Sequence, residues 1–370
     1  MLRPRALVLL LLLACSLSSA ACRHEVEFSP RDGAADARAD ADASGDGAPA
    51  IDVADGPPSD TSGVDGWSQV DLSTTGIGAA QLRAISGSLQ NGIYVVGQGI
   101  GGGVALYSFS GDSWAKDEKL SSSAPLDGVW VSPDTAVARV VVVGAQLWWR
   151  TEPSAIWTTH SLPSAGKAVW GTKQTVNGVS YVATASGQLT RWERTFQPGA
   201  SPCTDNKLSL DGVWATGQGT DVFAVGAAGT IRYWSDDNAA VCSEQVTPTT
   251  KDLHAVHGVD SPLLAYAVGA EGVVLKLAGT APSWTWQPVA GTPPDETYYG
   301  VFVRSPSDIW IVGCKGQTPR VRHYDGTGTF TDMTPRDPGG ATCYRGVWAD
   351  SERVWVVGDA AALLYIKTKG

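Results

Sequence analysis

Charge is scarce in this sequence. Asp, Glu, Lys and Arg make up 17% of its 370 residues, against about a quarter in an average soluble domain. The charge that is present sums to −10, and no basic cluster occurs outside the extreme N-terminus. The sequence therefore argues against nucleic acid as a partner, because phosphate binding needs concentrated Lys and Arg. Histidine is limited to 5 residues and methionine to 2. No stretch carries the 3.6-residue apolar stripe of a helix, which excludes helical solenoids. G-x-S-x-G, Walker A and dinucleotide fingerprints are all missing. The glycine-rich run from Gly99 to Gly103 is followed by no helix, so it is not a phosphate cradle. His254-Ala-Val-His257 looks like a fragment of a metal motif, but in a strand its two imidazoles fall on opposite faces. Asp236-Asp237 reads as a turn and not as an acid/base pair. A non-enzyme with no cofactor and no metal is the expectation.

Only one long apolar run exists, Ala6 to Ala14, and Arg3 and Arg5 precede it. It is shorter than the roughly 20 residues a membrane span requires, so residues 1–22 read as a signal peptide. Leu12-Leu13-Ala14-Cys15 has the form of a bacterial lipobox, and Ser19-Ala20-Ala21-Cys22 is the alternative lipidation site. Cleavage after Ala20 with full secretion is a third possibility. A diacylated cysteine would supply the two-chain anchoring that a single acyl chain cannot. Residues 23–66 are Ala, Asp, Gly, Pro and Ser, with almost no large apolar side chain between Phe28 and Trp67. Such a segment cannot bury enough surface to offset its ordering entropy and reads as a disordered acidic linker. The chain is thus expected to be exported and lipid-anchored in the cell envelope, at the outer membrane or cell surface, or else secreted.

Glycine and tryptophan are what the sequence has in quantity, at 43 and 15 residues. From Trp67 onward they recur in one pattern. Leu210-Asp-Gly-Val-Trp214, Asp221-Val-Phe-Ala-Val-Gly226 and Gly229-Thr-Ile-Arg-Tyr-Trp234 match Tyr344-Arg-Gly-Val-Trp348, Arg353-Val-Trp-Val-Val-Gly358 and Leu363-Leu-Tyr-Ile366. Further copies begin at Leu82, Leu126, Lys167, Leu253 and Tyr299. The turn after each second strand falls at Gly97, Gly144, Thr184, Gly226, Gly269, Gly313 and Gly358, in steps of 40 to 47 residues. Short strands at that period are the signature of a β-propeller. Fourth strands open at Trp114, Trp157, Phe196, Val241, Trp284 and Phe330, which leaves the seventh repeat one strand short. The orphan strand at Trp67 supplies it. The predicted fold is an all-β, seven-bladed propeller over residues 67–370, with four-stranded antiparallel blades and an N-terminal strand closing the last blade, which removes exposed sheet edges.

Within the first strand of each repeat the third position is always small: Ala84, Gly128, Ala168, Gly212, Ala255, Gly300 and Gly346. Crowding around the central axis accounts for it. Trp130, Trp170, Trp214 and Trp348, two positions later, are expected to pack between blades. Cys314 and Cys343 fall in loops that share one propeller face and are predicted to pair; Cys203 and Cys242, flanking blade four, form the other pair. The second position of the first strand is polar and varies from blade to blade: Arg83, Asp127, Lys167, Asp211, His254, Tyr299 and Arg345. A propeller would gather these at the mouth of its channel, which makes them the candidate binding residues.

The repeat Gly-Val-Trp…Asp-Val-Trp-x-Val-Gly…Gly-x-Ile-x-x-Trp resembles the tandem repeats of bacterial surface lipoproteins related to BNR (Asp-box) propellers. The resemblance covers about residues 67 to 370. It implies a cell-envelope or surface protein. Beside it, the expectation is a monomer that binds a protein or glycan at the cell surface as a scaffold. Alternatives are an envelope assembly factor or a glycan-active, sialidase-like hydrolase or lyase. Ser110-Gly-Asp-Ser-Trp114 is only a partial Asp-box, and neither an arginine triad nor a Tyr/Glu nucleophile pair can be placed, which counts against a sialidase.

Overall fold

The structure is a computed structural model. It describes residues 65–72, 81–88, 90–110, 113–133, 138–152, 154, 156–172, 178–193, 203–204, 207–235, 242–280 and 283–368. All of these lie in the compact unit Val53–Gly370. The expected signal peptide, both lipidation cysteines, the linker up to residue 64, the strand openings at Phe196 and Val241 and the Asp236-Asp237 turn fall outside the described residues.

Seven antiparallel sheets form the blades. Their inner strands are Gln81–Ser88, Leu126–Val131, Gly166–Gly171, Leu210–Ala215, Leu253–Asp260, Thr297–Ser305 and Tyr344–Ala349. Six blades run outward in chain order. The seventh is completed from the N-terminal side: Trp67–Gln69 pairs with Leu363–Lys367, with Trp67 opposite Ile366. Blade three has three strands among the described residues, and beyond them Leu189 bridges Cys203. The second strands, such as Arg139–Gly144 and Asp221–Gly226, are buried almost throughout. They read as continuous Val-rich runs because both of their faces are covered.

The core is divided into seven apolar clusters, each shared by two neighbouring blades. Leu72, Trp348, Trp355 and Leu363 of blade seven pack with Leu82, Ile85 and Ile93 of blade one, so the ring closes through side chains as well as through the N-terminal strand. The small third position has the expected cause. A Cβ added at Gly212 would fall 2.9 Å from the Ala255 Cα, and one added at Gly128 would fall 3.1 Å from the Ala168 Cα. Ala and Gly alternate around the axis, except that Gly300 of blade six meets Gly346 of blade seven.

The tryptophans divide in a way the repeat alone does not show. Trp130 and Trp214 insert fully between blades because the facing residue is glycine: a Cβ at Gly171 would lie 2.5 Å from the Trp130 ring, and one at Gly258 would lie 2.9 Å from that of Trp214. Trp348 is buried as well, at the seam with blade one. Trp170 departs from the expectation. It faces Ala215 where the others face glycine, and its half-buried indole packs at the margin of the clusters on either side and donates to the Ala215 carbonyl at 2.9 Å. Its ring meets His257 edge-on at 5.1 Å. Trp284 and Trp286, two residues apart in one strand, share a face and both meet Phe223, Trp286 buried and Trp284 half-buried.

Both expected disulfides are formed, Cys203–Cys242 and Cys314–Cys343. The first joins the outer parts of blades three and four. The second links the end of Asp308–Lys315 in blade six to the entry of blade seven. Disulfides of this kind belong to an oxidising compartment. They close loops of 39 and 29 residues, so replacing either pair with Ala is expected to lower stability by about 2–4 kcal/mol. Urea unfolding of the oxidised chain and of the double-Ala variants, giving the same midpoint for both, would contradict this. No helix among the described residues is long and apolar enough to cross a membrane.

Candidate functional site: the mouth of the central channel

Every inner strand carries a β-bulge at the same place, and the bulged residue is the polar second position. In blade four Leu210 pairs with Gly226 and Gly212 with Val225, which leaves Asp211 as the extra residue. The same shift occurs at Arg83, Asp127, Lys167, His254, Tyr299 and Arg345. A bulge adds one residue to one strand and re-aims its side chain. The bulge also explains the glycine that ends most second strands. The carbonyl before the inner strand crowds that position, so a Cβ at Gly226 would stand 1.9 Å from the Ser209 oxygen and one at Gly269 1.9 Å from that of Asp252. In blade three the partners are exchanged: Gly166 stands on the inner strand opposite Thr184.

All seven bulged residues line one end of a cavity of about 660 Å³ that follows the inner strands. Each is half-buried. The structure thus brings together every residue the sequence singled out, and it links most of them to a neighbour. Arg83 forms an ion pair with Asp127, and its second amino group reaches the Gln98 side-chain oxygen at 3.4 Å. Asp211 accepts from the Ser209 hydroxyl at 2.8 Å, and the His254 Nδ1 stands 3.8 Å from it, an ion-pair distance when the imidazole is protonated. Burial works against ionisation of Asp211, but His254, Ser209 and Lys167 outweigh it and hold the carboxyl below its ordinary range. The His254 ring stacks on Tyr299 at 4.8 Å. The Arg345 guanidinium lies over the Tyr299 ring too, 4.3 Å from its centroid. Arg345 also donates to Asp359 through two long contacts of 3.4 and 3.5 Å.

Below this polar ring the channel is apolar. Ile85, Val129, Val169, Val213, Val256, Val301 and Val347 are each 5–8% exposed, and all of them line the cavity. Deeper still are the half-buried Trp170 and Phe302. His257 sits beside them, stacked on Phe302 at 4.4 Å, and its Nδ1 accepts from the Val303 amide at 3.0 Å. That bond uses the nitrogen lone pair, so His257 serves as a neutral aromatic filler. At the far end Arg304 donates to the Asp350 carbonyl at 2.7 Å, and Asp260 accepts from the Gly217 amide at 3.0 Å. Among the described residues no three His, Cys, Asp or Glu side chains converge as metal ligands. The buried Glu296 is held by Arg320, Arg322 and the Tyr298 hydroxyl and ties strands together within blade six.

Sequence reasoning missed three participants: Trp170, Phe302 and Asp359. A signal for the first two exists. The residue after the tryptophan slot of the next blade is Ala215 or Ala349 where a ring is kept in the channel, and Gly171 or Gly258 where it inserts. No local signal marks Asp359, which comes from a loop 14 residues from Arg345.

No family model and no curated protein matches the chain. Among solved structures it is similar to YCF48 bound to D1 peptide, with a TM-score of 0.62 and 15% identity over 82% of this chain and 96% of that one. It is also similar to the WD40 β-propeller domain of Doa1, with a TM-score of 0.60 and 12% identity over 79% of this chain and 94% of that one. At such identities the likeness is one of fold, and together with the seven closed sheets it makes this chain a seven-bladed β-propeller.

Proposed function

We propose that this chain is a non-enzymatic binding scaffold of the cell envelope, which presents the charged mouth of its propeller to a protein partner. A lipidated Cys15, or Cys22 in its place, would hold it to the membrane, with residues 23–66 as the tether. One observation carries the reading: seven separate bulges, one per blade, aim seven polar side chains of five kinds at a single opening over an apolar cavity. A rigid scaffold with variable side chains at one rim is the usual arrangement of a recognition surface. The two disulfides agree with an exported chain. That a propeller of similar fold has been solved with a peptide supports a protein partner over a small solute.

Arg83, His254 and Arg345, replaced together with Ala, are expected to lower capture of partner protein from envelope fractions by at least about tenfold, while the chain stays folded. Capture at the level of the unaltered chain would overturn the reading.

A further inference from the structure

We propose that the partner inserts one large aromatic side chain into the channel while an acidic side chain beside it pairs with Arg345. This rests on the mouth being the protein-binding face. The channel wall beneath the ring is aliphatic and then aromatic, from Val256 and Val347 down to Trp170 and Phe302. A sugar placed there would bury hydroxyls against groups that cannot bond them, at a cost in free energy. An apolar side chain gains what the sugar loses. Depth sets its size. Along a strand the Val position lies about 7 Å and the Trp position about 10 Å from the bulge, so a Phe reaches the wall where a Ser or Ala does not.

The charge comes from the state of Arg345. Its plane is held by stacking on Tyr299, yet its acceptor Asp359 is 3.4 and 3.5 Å away. Charge-assisted bonds of a guanidinium normally close to about 2.7–2.9 Å. The fork is therefore oriented but under-used, whereas Arg83 already has a close partner in Asp127. An incoming carboxylate gains most at Arg345. Val347 is two residues along the same strand, so the residue next to that acid stands over the channel.

The probe is a hexapeptide, Gly-Gly-Asp-Phe-Gly-Gly, acetylated and amidated so that its only carboxylate is a side chain, titrated calorimetrically into the full chain. Changing its Asp to Asn is expected to weaken binding about tenfold, and changing its Phe to Ser to remove it. In the protein, Arg345→Gln should abolish the preference for Asp over Asn while leaving the Phe requirement. Asp359→Asn should tighten binding severalfold, because it removes the negative charge that competes for Arg345 and keeps an oxygen for Thr342, which donates to Asp359 at 3.0 Å. A purely structural Arg345 would show no such gain. Equal binding of the Asp and Asn peptides, equal binding of the Phe and Ser peptides, binding only when a free C-terminal carboxylate is present, or binding of a chito-oligosaccharide in their place would each overturn the inference. If none of the peptides binds while the triple Ala variant still loses its envelope partner, the aromatic–acid motif is wrong and the mouth reading stands. If that capture is unaffected, the mouth reading itself is wrong.

Discussion

Trp67→Ala is expected to cost about 3–5 kcal/mol of stability, the range for deleting a fully packed large aromatic. The residue belongs to a strand of three residues, Trp67–Gln69, that would count for little in isolation. Its indole, however, is 4% exposed and packs with Trp310, Tyr344, Val354 and Leu364. The indole N–H donates to the Met333 carbonyl at 2.9 Å, so one side chain from the N-terminal strand touches blades six and seven together. Asp65 adds to the closure by accepting from the Arg336 amide at 2.6 Å. Gln69→Ala, at the exposed end of the same strand, should stay within about 0.5 kcal/mol. Urea unfolding of the full chain separates the two. Equal midpoints would mean that the closing strand is an ornament on a ring already complete without it.

The second large effect is a contrast between two tryptophans that look alike in the repeat. Trp214→Ala should cost about 3–5 kcal/mol, because the ring is 1% exposed and its place against Gly258 and Phe223 cannot refill. Trp170→Ala should cost less, about 1–2 kcal/mol, since that ring is only partly buried and is held at the margin of its clusters by packing and by its bond to the Ala215 carbonyl. The pair would be read by the same unfolding measurement. Equal losses would show that the glycine seat does not decide which ring inserts.

The same contrast shows what could be read in the residues beforehand. Blade number, strand order and closure were legible because each rests on a periodic pattern: Gly226 and its equivalents, the small third position and an unmatched strand at Trp67. The disulfides followed from that layout. The mouth ring was visible as variability inside a monotonous motif, although its cause was not. A bulge is a mismatch between two strands, and Leu210-Asp211-Gly212 looks regular until it is counted against Val225 and Gly226. The fate of Trp170 was hidden for a related reason, because it is decided by Ala215 in the following blade. The link between Arg345 and Asp359 joins an inner strand to the short turn Asp359–Ala361 and depends on how that turn folds back. No pattern within either segment encodes it.

The alternation of alanine and glycine around the axis has an arithmetic consequence. Two sizes can take turns around a ring only when the number of members is even, and seven is odd, so one junction must seat two of the same kind. Here that parity fault falls where Gly300 abuts Gly346, the junction with least side-chain volume at the axis and most backbone freedom to restrain. The covalent bond between Cys314 and Cys343 spans the same two blades, so the chain is cross-linked across the one place where its symmetry cannot be satisfied.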